Sequence, residues 1–225
     1  MKSIATPESD EAQAIRATLS TPRVETYAAA TADDPTLSRA LALYAWNAQV
    51  SAAMLAPLHI CEVSIRNAIA EAIAAAHGQE WPWSAGFVRS LPSPIVGYNA
   101  RTDLLSTRSK KTTTGQVIAD LKFVFWQNMV TSRFDERMWE LHLRTVLPHA
   151  DSTKTTAQNR SMVYGELEKI RKLRNRIAHH EPIFKRNLAD DFQKIHDLIA
   201  VRCPITAAWL LQNQGAQALI CNKPC

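Results

Sequence analysis

The chain has 225 residues, 46% of them hydrophobic and 21% charged, with a formal net charge of +5 and only 6 glycines. A normal apolar fraction with so modest a charge excludes disorder as the main state, and the low glycine content excludes collagen-like and glycine-rich low-complexity classes. The length suits one large domain or two small ones, and a chain poor in glycine and rich in alanine leans toward helix.

The opening MKSIATPESDEAQAIRATLS lacks the apolar centre of a secretory signal. A short polar helix is predicted from about Glu8 to Leu19, closed by Pro22. Asp34 is an N-cap candidate and Pro35 suits the first helical position. Leu37, Leu41, Tyr44, Ala48 and Ser51 then recur at helical spacing up to Met54, where Pro57 is expected to interrupt. A second helix is predicted from Leu58 to His77, with the stripe Ile65, Ile69, Ile73, and Gly78 stops it. No run of about 18 apolar residues is apparent, so no transmembrane helix is expected.

WPWSAGFVRSLPSP (81–94) cannot be one regular element. RTDLLSTRSKKTTTGQ (101–116) is polar, basic and threonine-rich, and is predicted to be an exposed loop. Val117–Met129 is apolar and aromatic, a buried helix in which Phe123, Phe125 and Trp126 are core rather than a base-stacking platform. Further helices are predicted over Arg133–Val146, Ala157 to His179 or His180 (stopped by Pro182), and Leu188–Val201 as the last, with a linker at 151–156. With no repeat and no two-residue alternation, the fold class is all-α: an N-terminal helical arm (1–33) and one domain (34–225) carrying the loop at about 101–116.

The four cysteines, Cys61, Cys203, Cys221 and Cys225, form no CxxC pair, and three lie near the C-terminus. They read as reduced thiols of a cytoplasmic protein, with metal or redox use of Cys221 and Cys225 as the lesser alternative. The pI near 9.1 permits a polyanionic partner without requiring one.

Chemistry concentrates in KIRKLRNRIAHHEP (169–182). On a helical wheel with Val163 as origin, Leu167, Ile170, Leu173 and Ile177 fall within roughly 60–80° of it. Arg174 falls at about 20°, inside the apolar stripe. An arginine there is expected to lose water and to need a carboxylate, a carbonyl or a phosphate. Asn175 and His179, four apart, share a face, so Asn175 is expected to orient the imidazole, a group suited to proton transfer near neutral pH. Arg174 and His179 are separated by about 140° and roughly 7.5 Å, so an undistorted helix does not bring them to one atom. Either the helix breaks before His179, or two chains pair across a two-fold axis and share the site; the second is the reading preferred here.

Glu62 and Arg66 are spaced for a surface ion pair. Alternatively Glu62 buttresses Arg174, or Arg66 and Asn67 line its cleft. His179, His180 and Glu181 diverge as neighbours and make a poor metal set, so no metal or cofactor is expected and His180 reads as a capping or supporting group. Lys169, Arg171, Lys172 and Arg176 form a basic face, either solvated or in contact with an RNA backbone. Arg108, Lys110 and Lys111 are weaker RNA candidates. The remaining histidines, His59, His77, His142, His149 and His196, read as structural or surface residues.

Arg174-Asn175-Arg176-Ile177-Ala178-His179 resembles the R-polar-x-x-x-H motif of the HEPN superfamily, and LRNRIAHHEPIF (173–184) is similar to the Abi-like family of bacterial abortive-infection proteins. ALALYAWN (40–47), EVSIRNA (62–68), the tryptophan at 81 and IADLKFVFW (118–126) fall in that family's order, so the resemblance covers about 37–200. One departure is the absence of a glycine between the aromatic positions of Lys122–Trp126. The resemblance implies a HEPN-type helical bundle, a homodimer, and a metal-independent endoribonuclease acting as a toxin in antiviral defence. It implies His179 as general acid or base, Arg174 stabilising charge on the phosphorane, and Asn175 positioning one or the other. The products would be a 2′,3′-cyclic phosphate and a 5′-hydroxyl. An antitoxin or small RNA is the expected restraint, and no membrane partner is expected. Two alternatives remain: a non-catalytic RNA-binding protein of the same fold, and a helical interaction protein in which Arg174 is structural.

Overall fold

The computed structural model describes residues 9–31 and 37–224. Among the described residues helix makes up 75% and no strand occurs, so the fold is all-α. The expected caps Asp34 and Pro35, the residue Glu8 and Cys225 lie outside the described residues.

Among the described residues twelve α-helices follow one another: α1 (Asp10–Leu19), α2 (Thr21–Ala28), α3 (Leu37–His77), α4 (Ala85–Ser90), α5 (Ala100–Arg108), α6 (Thr114–Asp120), α7 (Phe123–Met129), α8 (Glu140–Val146), α9 (Thr156–Ala178), α10 (Leu188–Arg202), α11 (Pro204–Gln212) and α12 (Ala216–Cys221). The bundle is organised around α3, which packs against α2, α7, α8, α9, α10 and α12. The N-terminal pair is seated on the body: Val24 and Tyr27 of α2 are buried, and Tyr27 belongs to the main core. Pro22 lies in the first turn of α2, so it begins a helix as well as ending the one before.

α3 corrects the expectation of two helices broken at Pro57. It runs unbroken for 41 residues, with Pro57 inside it and buried. Proline in a helix interior costs about 3 kcal/mol, but both halves of α3 press apolar faces into the same core. Ile65, Ile69 and Ile73 are buried as predicted. The N-terminal stripe is rotated from its predicted position: Leu37, Ala40, Leu43, Val50 and Met54 face the core, whereas Ala48 is exposed. α3 is also long and apolar enough to cross a membrane by length and composition, with mean hydropathy 1.3 over its qualifying window. That corrects the expectation that no such stretch exists. Its buried side chains form the centre of this bundle. Gly78 ends the helix at φ +87°, a left-handed conformation that glycine adopts without a Cβ penalty.

The predicted loop at 101–116 is a second correction. Asn99 caps α5 by accepting the Thr102 N–H at 2.9 Å, and Ala100, Asp103, Leu104 and Thr107 face inward. The buried Asp103 carboxylate accepts the Tyr98 hydroxyl at 2.6 Å and pairs with Lys122 at 3.1 Å. The irregular part shrinks to 109–113. Downstream, Leu121 and Lys122 break the expected single helix into α6 and α7; Phe123, Phe125 and Trp126 are buried, the last two against Trp81. The predicted helix over Arg133–Val146 begins as a 3₁₀ turn and a π-helix (Asp135–Trp139) before α8. Beyond α10, two short helices extend the chain where none was expected, and the Trp46 indole N–H donates to the α12 carbonyl of Leu219 at 2.7 Å.

Candidate active site

The motif occupies the last turns of α9 and its cap. Thr155 starts the helix with a capping box to Gln158. Val163, Leu167, Ile170, Leu173 and Ile177 are buried as the wheel predicts. The far end closes as a Schellman motif: the His180 N–H bonds the Ile177 carbonyl at 3.0 Å, and the Glu181 N–H bonds that of Arg176 at 2.8 Å. His180 occupies the left-handed position at φ 55°, usually taken by glycine. The cap itself is His179, and His180 takes the position after it. Arg176 and Glu181, the pair that often makes an apolar contact in this motif, instead form an ion pair at 3.6 Å. Arg176 also donates to the Pro182 carbonyl at 2.7 Å.

Arg174 is not stripped of water, contrary to expectation. Its side chain is 45% exposed. The wheel locates its Cα at the margin of the stripe, but the long stem carries the guanidinium out past the apolar side chains. The head meets Glu62 of α3, Nε to Oε2 at 3.8 Å. That distance is an ion pair without a hydrogen bond, so the guanidinium's donors remain unspent. Of the two readings of Glu62, the geometry favours the one that couples it to Arg174; no Glu62–Arg66 ion pair occurs. One turn along α3, Arg66 has a buried Nε with no hydrogen-bond partner, a second guanidinium with unspent donors near Glu62.

His179 is the C-cap of α9 and is exposed. Its N–H bonds the Asn175 carbonyl at 2.9 Å, but no side-chain hydrogen bond joins Asn175 to the imidazole, so the predicted orienting bond is absent. The helix does not break ahead of His179, and the first route to convergence within one chain is closed. Asn67 is also displaced from the site. It lies about 140° around α3 from Glu62 and lines clefts beside Gln79 and Thr114 and beside His59 and Thr206. Arg174, Asn175 and His179 do not line the clefts beside Tyr44, Arg137, Gln79 or Arg202.

The basic face is largely neutralised by its own helix. Lys169 pairs with Glu166 at 2.8 Å, while Arg171 and Lys172 pair with Glu168 at 2.9 and 3.2 Å. The Gln127 amide, donating at 2.6 Å, and then Arg171 and Lys172 hold the Glu168 carboxyl down to about 2. Both glutamates stand at three- or four-residue spacing from their cations, a signal the sequence carries. Arg108 is likewise engaged, donating to the Pro82 carbonyl at 2.7 Å.

No group of three or more His, Cys, Asp or Glu side chains suited to a metal occurs among the described residues. Cys61, Cys203 and Cys221 are free thiols. No family model, no curated protein and no solved structure matches the chain at a significant level.

Proposed function

We propose that the chain is a HEPN-type endoribonuclease of the Abi-like family, a cytoplasmic toxin of antiviral defence that cuts RNA without a metal. The reading rests chiefly on Arg174, exposed at the end of α9 with its hydrogen-bond donors unspent, on the same helix end as the exposed His179. A guanidinium in that condition is ready for a bidentate phosphate contact.

In the proposed reaction the ribose 2′-hydroxyl attacks phosphorus and the bond to the 5′-oxygen breaks. One proton leaves the 2′-oxygen and one reaches the departing 5′-oxygen, and His179 carries one of these transfers, an effect worth about 10²–10⁴-fold. Arg174 stabilises the charge on the phosphorane. Asn175 positions substrate rather than the imidazole, since its side chain does not bond the ring. Glu62 holds Arg174, and Arg66 adds a second cation. His180 shapes the cap. Two chains related by a two-fold axis supply Arg174 from one copy and His179 from the other. An antitoxin or small RNA restrains the activity.

The ion pair of Arg174 with Glu62 also favours a second reading, a helical interaction protein in which that pair only ties α9 to α3. A mixed RNA pool incubated with the protein and EDTA separates the two. Cleavage that resists the chelator and disappears in His179→Ala supports the nuclease. Salt-sensitive RNA retention without cleavage indicates a binding protein, and neither behaviour leaves the structural role.

A further inference from the structure

A cleft of about 480 Å³ opens between α2, the middle of α3 and the cap of α9. Its size falls in the range of small-ligand sites, roughly 300–1,000 Å³. Tyr27 and Tyr44 form an aromatic wall, their rings 4.8 Å apart and tilted by 56°, and Ile177 and Leu55 add apolar surface. Its one fully charged lining residue is Arg23, and no carboxylate lines it.

The polar groups converge on the α9 cap. Arg23 donates to the His180 carbonyl at 2.8 Å and keeps its other donors unspent. The left-handed backbone at His180 places this residue on the cleft wall. Asn47 is only 5% exposed, and its Oδ1 accepts the N–H groups of Ile183 at 2.8 Å and Phe184 at 3.1 Å. Those two bonds fix which way the amide points. Its Nδ2 then finds no acceptor among the described residues, although Asn47 lines the cleft. The Asn47 residue is nine-tenths buried, but its Nδ2 is not an enclosed atom: it opens to the cleft, where a ligand or water can accept from it. Donors, a single positive charge and the half-buried Tyr44 ring with its apolar neighbours together suit an anion that carries an aromatic ring.

We propose that this cleft binds a nucleoside monophosphate, with its base against the Tyr44 wall and its phosphate held by Arg23, Asn47 and His180. Neither Arg174 nor His179 lines this cleft, although His180 directly follows His179, and binding is read without RNA cleavage.

Calorimetric titration of the intact protein with AMP, GMP, CMP and UMP, and with adenosine and inorganic phosphate alone, tests it. At least one monophosphate is expected to bind more than about tenfold tighter than either fragment. Arg23→Ala, and Ala48→Trp filling the cleft from an exposed position, are each expected to weaken that binding at least about tenfold. Asn47 is unsuitable for the test because it also holds two backbone groups. His180→Gly provides the control for folding. It relieves the left-handed backbone, so the protein should melt no lower, yet binding should fall at least about fivefold. No saturable binding of any monophosphate up to about 1 mM, or binding that all three variants leave unchanged, overturns the proposal.

Discussion

Glu62 on α3 stands 3.8 Å from the Arg174 guanidinium on α9, a contact between two side chains 24% and 45% exposed. So open a pair contributes little to stability, about 0–1 kcal/mol. Its role in the proposed reaction is to position Arg174. Glu62→Ala should therefore lower the melting temperature only slightly while reducing RNA cleavage at least about tenfold, mainly in kcat. A large loss of stability with unchanged cleavage would make the pair purely structural.

The proposed composite site makes a prediction about mixed chains. Arg174→Ala and His179→Ala are each expected to be inactive alone. In a heterodimer of the two, one site receives both intact residues and the other receives neither. Random mixing should recover about a quarter of wild-type cleavage. No recovery in mixtures, or sedimentation solely as a 25.1 kDa species, contradicts the shared site.

Glu168 couples the basic face of α9 to pH. Its carboxyl is held down to about 2 by Gln127 first, and then by Arg171 and Lys172. A depressed folded value means stability that is complete above the unfolded carboxyl's value of about 4.3 and drains as pH falls below it. In numbers, that loss runs toward the folded value of about 2. Glu168→Gln should cost about 1 kcal/mol at neutral pH, after allowing for solvent screening, and should flatten the acid limb of the stability curve. Urea melts of both proteins across that range check it, and parallel curves would contradict it.

The thiols should differ in reactivity. Cys203 caps the N-terminus of α11, and bonding with Thr206 first, then Ile205 and nearby Arg202, draws its titration below the ordinary thiol value. The buried Cys61 is pushed up to about 12. A lowered value leaves more thiolate at a given pH. Iodoacetamide followed by peptide mass mapping should label Cys203 at a lower pH than a free cysteine and leave Cys61 untouched in the folded protein. Equal labelling of the two would contradict this account.

The helical architecture was largely legible, because periodic apolar residues mark a buried stripe: Ile65, Ile69 and Ile73 on α3, and Val163 to Ile177 on α9. Gly78 and Pro182 likewise announce their helix ends. α5 escaped because its threonines and basic residues mask the inward stripe of Ala100, Leu104 and Thr107. Pro57 misled because a local penalty was weighed without the tertiary packing on either side. At the site, a wheel gives the direction of a Cα and not the reach of a side chain, so Arg174 was expected to be buried and is half in solvent. Asn47, Arg23 and Tyr27 were not foreseen at all. Their convergence depends on contacts between residues more than a hundred positions apart, which no spacing rule records.

The chemistry of the RNA ends tests the central claim most directly. RNA incubated with the wild-type protein in EDTA should yield fragments with 2′,3′-cyclic phosphate and 5′-hydroxyl ends. His179→Ala, a surface substitution at the α9 cap that leaves the core intact, should lower their rate at least about a hundredfold. Ends carrying 5′-phosphate, or cleavage undiminished in His179→Ala, would contradict the account.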